Sequence, residues 1–391
     1  MAHSNIAAVN EPPIRNSSPC SSYFRWMPTG AHGLAEMLKA IHDASHNVRL
    51  EMYIFQNSGV GEVFRDALIA AARRGATVYV LTDYFGSFLV PEDFWSSLTT
   101  AGGQVRRFNL PGWSRFGLRD HRKLLICDER FGFVTSHNIG PEYAGDGVFS
   151  GWRDLGLQFE GDLARELAGA FDEMFSISKF RDTHFIWRRH AVRQRRVEAK
   201  RAIALLSAPG WKRNHLLHAL ITDFQSAHSI RILCAYFLPT HRLLRALIRA
   251  ARRGANVQLV LSAQCDVPLL QNATHCYYRR LLKSGVEIYE YKPQNFHAKM
   301  IIVDEDVVYA GSANLDVRSL HLNYELLIRV HSRQVAEEAA EIFCGDLKHC
   351  RKIHLKEWTT GRHWWNRAIG RLACFFFTRI DPYLASWSWR R

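Results

Sequence analysis

The chain has 391 residues, of which 47% are hydrophobic and 23% charged; that is more than one ordinary core accommodates and fits two globular domains. The net charge of +14 is local, because residues 181–201 carry eight Lys/Arg against two acidic residues and residues 351–391 carry nine against two, together +13. No window approaches eighteen uninterrupted apolar residues and the N-terminus lacks the apolar core of a signal peptide, which excludes a transmembrane helix and makes any membrane contact peripheral.

Residues 1–20 are polar, with Pro and Ser, and read as a disordered leader. A helix is expected over about Gly33–His46, a strand over Val48–Phe55, and a long helix that ends where Gly75 can cap it. Strands at Thr77–Leu81 and about Gln104–Phe108, with a helix near Pro91–Ala101 between them, lead through a loop to HRKLLICD, residues 121–128. The second half repeats this order. IRILCAYFLPT at 230–240 matches VRLEMYIFQNS, AARRGA occurs at both 71–76 and 250–255, and a helix near Leu270–Ser284 and the strand VEIYEY precede HAKMIIVD at 297–304. A whole domain has been duplicated. Alternating strands and helices predict an α/β fold with a mixed sheet flanked by helices in each half, the halves related by a pseudo-two-fold that brings both motif strands to one interfacial site. The boundaries expected are a first domain over 21–180, a basic linker over 181–204, a second domain over 205–350 and a basic, Trp-rich tail over 351–391.

Both motifs read His-x-Lys-x4-Asp, and an asparagine follows ten residues after each aspartate: His121, Lys123, Asp128, Ser136 and Asn138, then His297, Lys299, Asp304, Ser312 and Asn314. Three residue types at fixed spacing match by chance about once in ten thousand positions, so two copies are a strong signal. In a strand, residues two apart share a face, so each His–Lys pair would look into one site. Histidine serves as nucleophile, acid or base near neutrality, and lysine holds a phosphate oxygen. The eight cysteines show no C-x-x-C pair and no zinc spacing; Cys127, Cys234 and Cys265 read as small residues in or beside apolar strands, which fits a reducing compartment.

The paired motif resembles the phospholipase D superfamily. Within it, HRKLLICD, HAKMIIVD, GSANLDVRSL, the AYFLP strand end and the RHWWN tail are most similar to the bacterial cardiolipin synthases, in the shorter form without N-terminal transmembrane helices. The resemblance implies one histidine as nucleophile, forming a phosphohistidine, and the other as acid and base. We take His121 as the nucleophile and His297 as the acid/base, although the duplication leaves the reverse open. It further implies that Lys123, Lys299, Asn138 and Asn314, with Ser136 and Ser312 beside them, bind the phosphoryl group, and that no metal or other cofactor is needed. Asp128 and Asp304 complete the catalytic motif and read as polar supports for it. Asp154 and Glu325, about thirty positions downstream of the motifs, are the matching places for carboxylates that orient the histidines. The one departure is Thr135-Ser136-His137-Asn138, which replaces a glycine-rich version.

The implied reaction is phosphatidyl transfer from phosphatidylglycerol to a second phosphatidylglycerol or a related alcohol, releasing glycerol. Water as acceptor would make the protein a lipase. A nucleic-acid phosphodiesterase is the alternative that the basic charge raises, but the charge lies beside tryptophans in the tail and not along the motif strands, so no nucleic acid is expected. Five of eleven tryptophans lie in residues 358–391, mixed with arginine around a short apolar run, Ala373–Phe377. That composition suits an anionic membrane surface, with 181–201 as a second possible contact. The expected location is the cytoplasmic side of the bacterial inner membrane.

Overall fold

The computed structural model describes residues 23–109, 117–178, 194–210, 214–360 and 364–390. The expected leader, the first part of the basic segment (181–193) and residues 361–363 of the tail lie outside the described residues.

Each half is built on a mixed sheet of the same plan. In the first, Asn47–Met52, Thr77–Asp83 and Gln104–Phe108 run parallel, as strand–helix–strand units require. Lys123–Cys127, Phe131–Thr135, Gly156–Glu160 and Phe24–Met27 then continue antiparallel from the other edge of Asn47–Met52. In the second, Ser229–Leu233, Asn256–Ser262 and Glu287–Tyr291 are the parallel set, followed by antiparallel Met300–Val303, Val307–Gly311, Asn323–His331 and Ala202–Ser207. The motif strands lie mid-sheet, which explains their unbroken apolar runs. Their side chains alternate between two cores: Leu124, Ile126, Met300 and Ile302 enter one core shared by both halves, while Leu125 and Cys127, and Ile301 and Val303, enter the separate core of each half.

The expected linker needs correction. Arg195–Ala199 pairs antiparallel with Ala202–Ser207, so 195–204 is a hairpin on the second sheet. Val197 points into the shared core while Arg196 and Glu198 face solvent; the strand alternation is hidden inside a charge run. The first helix starts at Gly30, three residues early, because the Thr29 side chain caps the His32 amide, and it stops at Asp43 before extended Ala44.

The tail forms helices over Leu355–Thr360, Trp364–Phe375 and Asp381–Arg390, the last two joined by a π-helical turn. Gly370 lies against Asn272 of the helix Pro268–Leu282, and Ala373 and Phe377 close over Leu238 and Leu270. The outer side exposes Trp365, Ile369, Leu372 and Phe375.

Candidate active site

The two halves are stitched at their motifs by a reciprocal exchange. The amide of His121 donates to the carbonyl of Tyr324 (2.9 Å), and the amide of His297 donates to that of Arg153 (2.8 Å). Tyr324 and Arg153 each precede the acid of the opposite half. His121 Nδ1 therefore meets Glu325 Oε2 at 2.9 Å and His297 Nδ1 meets Asp154 Oδ2 at 2.6 Å. Each carboxylate thus faces the histidine of the other half, and neither half can assemble the site alone. Arg153 anchors this crossing. Its guanidinium forks onto Asp346 (2.6 and 3.0 Å) and donates to the carbonyls of Pro28 and Asp154.

Lys123 Nζ and Lys299 Nζ each fold back onto the carbonyl of their own histidine, at 2.9 and 2.7 Å. The four basic groups share one field, since Lys123, Lys299 and His297 all act on His121. Burial, then Lys123 and Lys299, holds the His121 imidazole well below its ordinary range, and burial and Lys299 lower His297. Burial and the neighbouring Lys299 bring Lys123 down to about 7. Such clustered, perturbed titrating groups mark a chemical site.

The two carboxylates differ. Burial works to raise Asp154, but the charge and hydrogen bond of His297, with Lys299, outweigh it and keep the carboxyl well below the carboxylate range. Burial raises Glu325 to about 7 against the pull of Lys123 and Ser312.

One expected role, that of the serines, does not fit this geometry. Ser136 and Ser312, expected beside the phosphoryl group, spend their hydroxyls on the carboxylates: Ser136 Oγ donates to Asp154 and Ser312 Oγ to Glu325 at 2.6 Å. Asp128 and Asp304, expected as polar supports of the motif, lie at the far ends of their strands. Asp128 accepts the amides of Ser45, His46 and Asn47, and Asp304 those of His228 and Ser229. Both sit in the left-handed region, φ +54°. Each ties the entry of a parallel strand to the turn that follows the motif strand. The two asparagines also differ. Asn138 is engaged by the Ile54 amide and the Tyr143 hydroxyl, whereas Asn314 Oδ1 is buried without a partner among the described residues.

The aromatic walls were not anticipated. Tyr53 stands edge-on to His121 at 4.7 Å, and Tyr143, Trp152 and Tyr236 surround His297 at 5.5, 5.7 and 6.3 Å. Tyr53 and Tyr236 follow the first strand of each half in MYIF and AYFLP, so an aromatic just past a strand end was the available signal; Tyr143 and Trp152 lie in a loop with none. Among the described residues no cluster of three or more His, Cys, Asp or Glu is arranged to hold a metal ion.

The family described as cardiolipin synthase, PLD-like domain, matches residues 37–147 and 220–347, one span for each motif. Cardiolipin synthase B of Shigella flexneri is 30% identical over 364 residues, covering 90% of this chain and 86% of that one. Cardiolipin synthase 1 of Bacillus cereus is 30% identical over 339 residues, 84% of this chain and 67% of that one. Among solved structures, the phosphatidylserine synthase of Haemophilus influenzae superposes with a TM-score of 0.71 over 92% of this chain and 94% of its own, at 14% identity, which is a likeness of fold.

Proposed function

The chain belongs to the cardiolipin synthase family of phospholipase D-like proteins and is a phosphatidyltransferase of that family, and we propose that it joins two phosphatidylglycerol molecules into cardiolipin and glycerol through a phosphatidyl-histidine. The observation that supports this most is the pair of histidines, each held through Nδ1 by a buried carboxylate of the other half. With the carboxylate ionised, Nδ1 carries the proton and Nε2 faces the substrate.

His121 is the better nucleophile. Its imidazole is held unprotonated, and Glu325, titrating at about 7, offers an imidazolium little support. Its Nε2 attacks phosphorus and the bond to the first glycerol breaks. His297, backed by the permanently ionised Asp154, gives that glycerol oxygen its proton. His297 then removes the proton from a glycerol hydroxyl of the second phosphatidylglycerol, which attacks the phosphatidyl-histidine and frees His121. In this reading Lys123, Lys299 and Asn314 balance charge on the phosphoryl oxygens. We place the protein peripherally on the cytoplasmic side of the bacterial inner membrane, held by the tail and by the basic segment 181–201. Among the described residues no helix is long and apolar enough to cross a membrane.

The test is purified protein with phosphatidylglycerol vesicles, followed by lipid mass spectrometry and acid-quench trapping. Cardiolipin and glycerol should form, and neither His121→Ala nor His297→Ala should make them. A covalent phosphatidyl-protein should build up in His297→Ala and be missing in His121→Ala. The opposite trapping pattern would exchange the two roles. Phosphatidic acid alone would make water the acceptor, and unchanged lipid would refute the reading.

A further inference from the structure

The turn that leaves strand Thr77–Asp83 exposes Phe85, Phe88 and Leu89, at 48, 62 and 77%. A run of apolar side chains at a loop tip is unfavourable in water unless something covers it. This tip is held from its inner side. Asp83 is fully buried; its Oδ1 accepts the amides of Phe85 (2.9 Å) and Gly86 (3.0 Å), and its Oδ2 accepts the amide of Asp120 (2.9 Å), the residue before His121. Ser87 Oγ donates to the carbonyl of Tyr53 and accepts from the Phe55 amide. A Cβ on Gly86 would lie 2.3 Å from the Tyr53 carbonyl, so only glycine lets the turn pack this closely. The Tyr53 ring in turn lies against His121, and the Arg119 guanidinium stacks on Phe85 at 3.8 Å. One carboxylate therefore ties the apolar tip to the segment that leads into His121.

The C-terminal tail reaches the same place. Arg318 donates to the Gly117 carbonyl (2.8 Å) and pairs with Asp381 (2.7 Å), and a Cβ on Gly117 would lie 2.3 Å from the Cα of Ala385. Next to Ala385, Tyr383 and Leu384 are exposed. The first-half turn, through Phe85 on Arg119, and the tail, through Ala385 at Gly117, thus converge on residues 117–119, just ahead of His121. The second half is partly covered at the corresponding strand exit: Leu270 packs with Ala373 and Phe377 of the tail, while Val267 and Leu269 stay exposed. The first-half turn has no such cover among the described residues.

We propose that the turn at Phe85–Leu89 is a membrane-docking element that works with the tail, inserting Phe88 and Leu89 into an anionic phospholipid surface so that the His121 entrance opens at headgroup level. A bilayer fits this surface because the apolar tip adjoins a tail segment of net charge +7 in which Arg371 and Arg379 are exposed. The inference rests on the reading of the site as one that takes phospholipid from a membrane.

The test is the double variant Phe88→Asp/Leu89→Asp, residues that touch neither histidine nor lysine of the site. It is read by flotation on phosphatidylcholine vesicles with and without phosphatidylglycerol, and by turnover on vesicles and on monomeric short-chain phosphatidylglycerol. Flotation and vesicle turnover should each fall about tenfold, while turnover of the monomeric lipid stays unchanged. Phe88→Trp keeps an interfacial side chain and should behave as wild type, which separates loss of insertion from loss of folding. Unchanged flotation of the double variant would overturn the proposal. So would an equal loss on monomeric and vesicle lipid, which would mean that the turn shapes the site. Flotation does not depend on turnover, so a protein that docks through Phe88 but converts no lipid would refute the functional reading and leave this one standing.

Discussion

The two halves make the same carboxylate and backbone contacts to their histidines and have different interiors beneath them. Strand register pairs Glu51 with Leu124 in the first half and Leu233 with Met300 in the second, so Glu51 and Leu233 are equivalent. By the same register Asp83 corresponds to Ser262, and by the motifs Asp120 and Arg122 correspond to Phe296 and Ala298. All eight are buried. Under His121 there are three acids and an arginine; under His297 the same volume is almost apolar. Burial raises Glu51, Asp83 and Asp120 alike. The crossing then exchanges the consequences, because the histidine above the charged interior takes its carboxylate from the other half. Duplication preserved the geometry that chemistry needs twice and let the surroundings diverge, so two histidines of one geometry are electrostatically unequal.

The carboxylates offer the most direct way to break that comparison. Asp154 stays ionised and supports a charged His297, so Asp154→Asn should lower kcat on phosphatidylglycerol vesicles by about a thousandfold. Glu325 titrates at about 7, and glutamine still offers an oxygen to His121 Nδ1, so Glu325→Gln should cost only about tenfold. Equal losses would mean that the two pairs are equivalent after all and that the assignment of nucleophile has no electrostatic basis.

A smaller effect should appear in the pH dependence of kcat/KM, which reports the free enzyme. Glu325 must lose its proton to draw one onto Nδ1 and leave Nε2 free, which places the acid limb near 7. Lys123, also at about 7, must keep its proton to hold a phosphoryl oxygen, which places the alkaline limb close by. The bell should be narrow. Glu325→Gln should remove the acid limb and Lys123→Arg should move the alkaline limb upward. Stability gives a second readout. Glu325 titrates higher folded than unfolded, so between about 4.5 and 7 the folded chain binds more protons and stability falls as pH rises, by on the order of 3 kcal/mol for this group. Glu325→Gln should therefore melt higher than wild type at pH 8, with the advantage shrinking toward pH 5.

The spacing of His121, Lys123, His297 and Lys299 was enough to expect two strands meeting at one site, because the motif is local and its period is that of a strand. The positions of Asp154 and Glu325 were legible as well, but the crossing was not: which carboxylate faces which histidine depends on how two sheets dock, and no spacing within one half encodes that. The role expected for Ser136 failed for a related reason. Its hydroxyl serves Asp154, eighteen residues on and joined to it only through the pairing of neighbouring strands. Arg196 to Glu198 hid a strand because charge count outweighed alternation once the single apolar position, Val197, was too little to register. His137, buried where the second half has Ala313, is accommodated because Gly33 has no side chain: a Cβ there would lie 2.3 Å from His137 Nε2. A compensation between residues a hundred apart leaves no local pattern.

The smallest effect sharpens the comparison on structural ground. Asp128 and Asp304 share the left-handed backbone and the same task, but Asp128 accepts three amides and the Ser45 hydroxyl, whereas Asp304 accepts two amides. The Ser45, Asn47 and His46 amides hold Asp128 below the usual carboxylate range although burial opposes them. Asparagine tolerates the same backbone, so Asp→Asn removes charge and acceptor capacity without adding strain. Asp128→Asn should cost about 2 kcal/mol in denaturant unfolding and Asp304→Asn about 1, with kcat nearly unchanged in both. A large fall in kcat with stability intact would return these aspartates to the catalytic machinery. Equal stability losses would mean that the turn conformation, and not the number of amides held, is what each aspartate supplies.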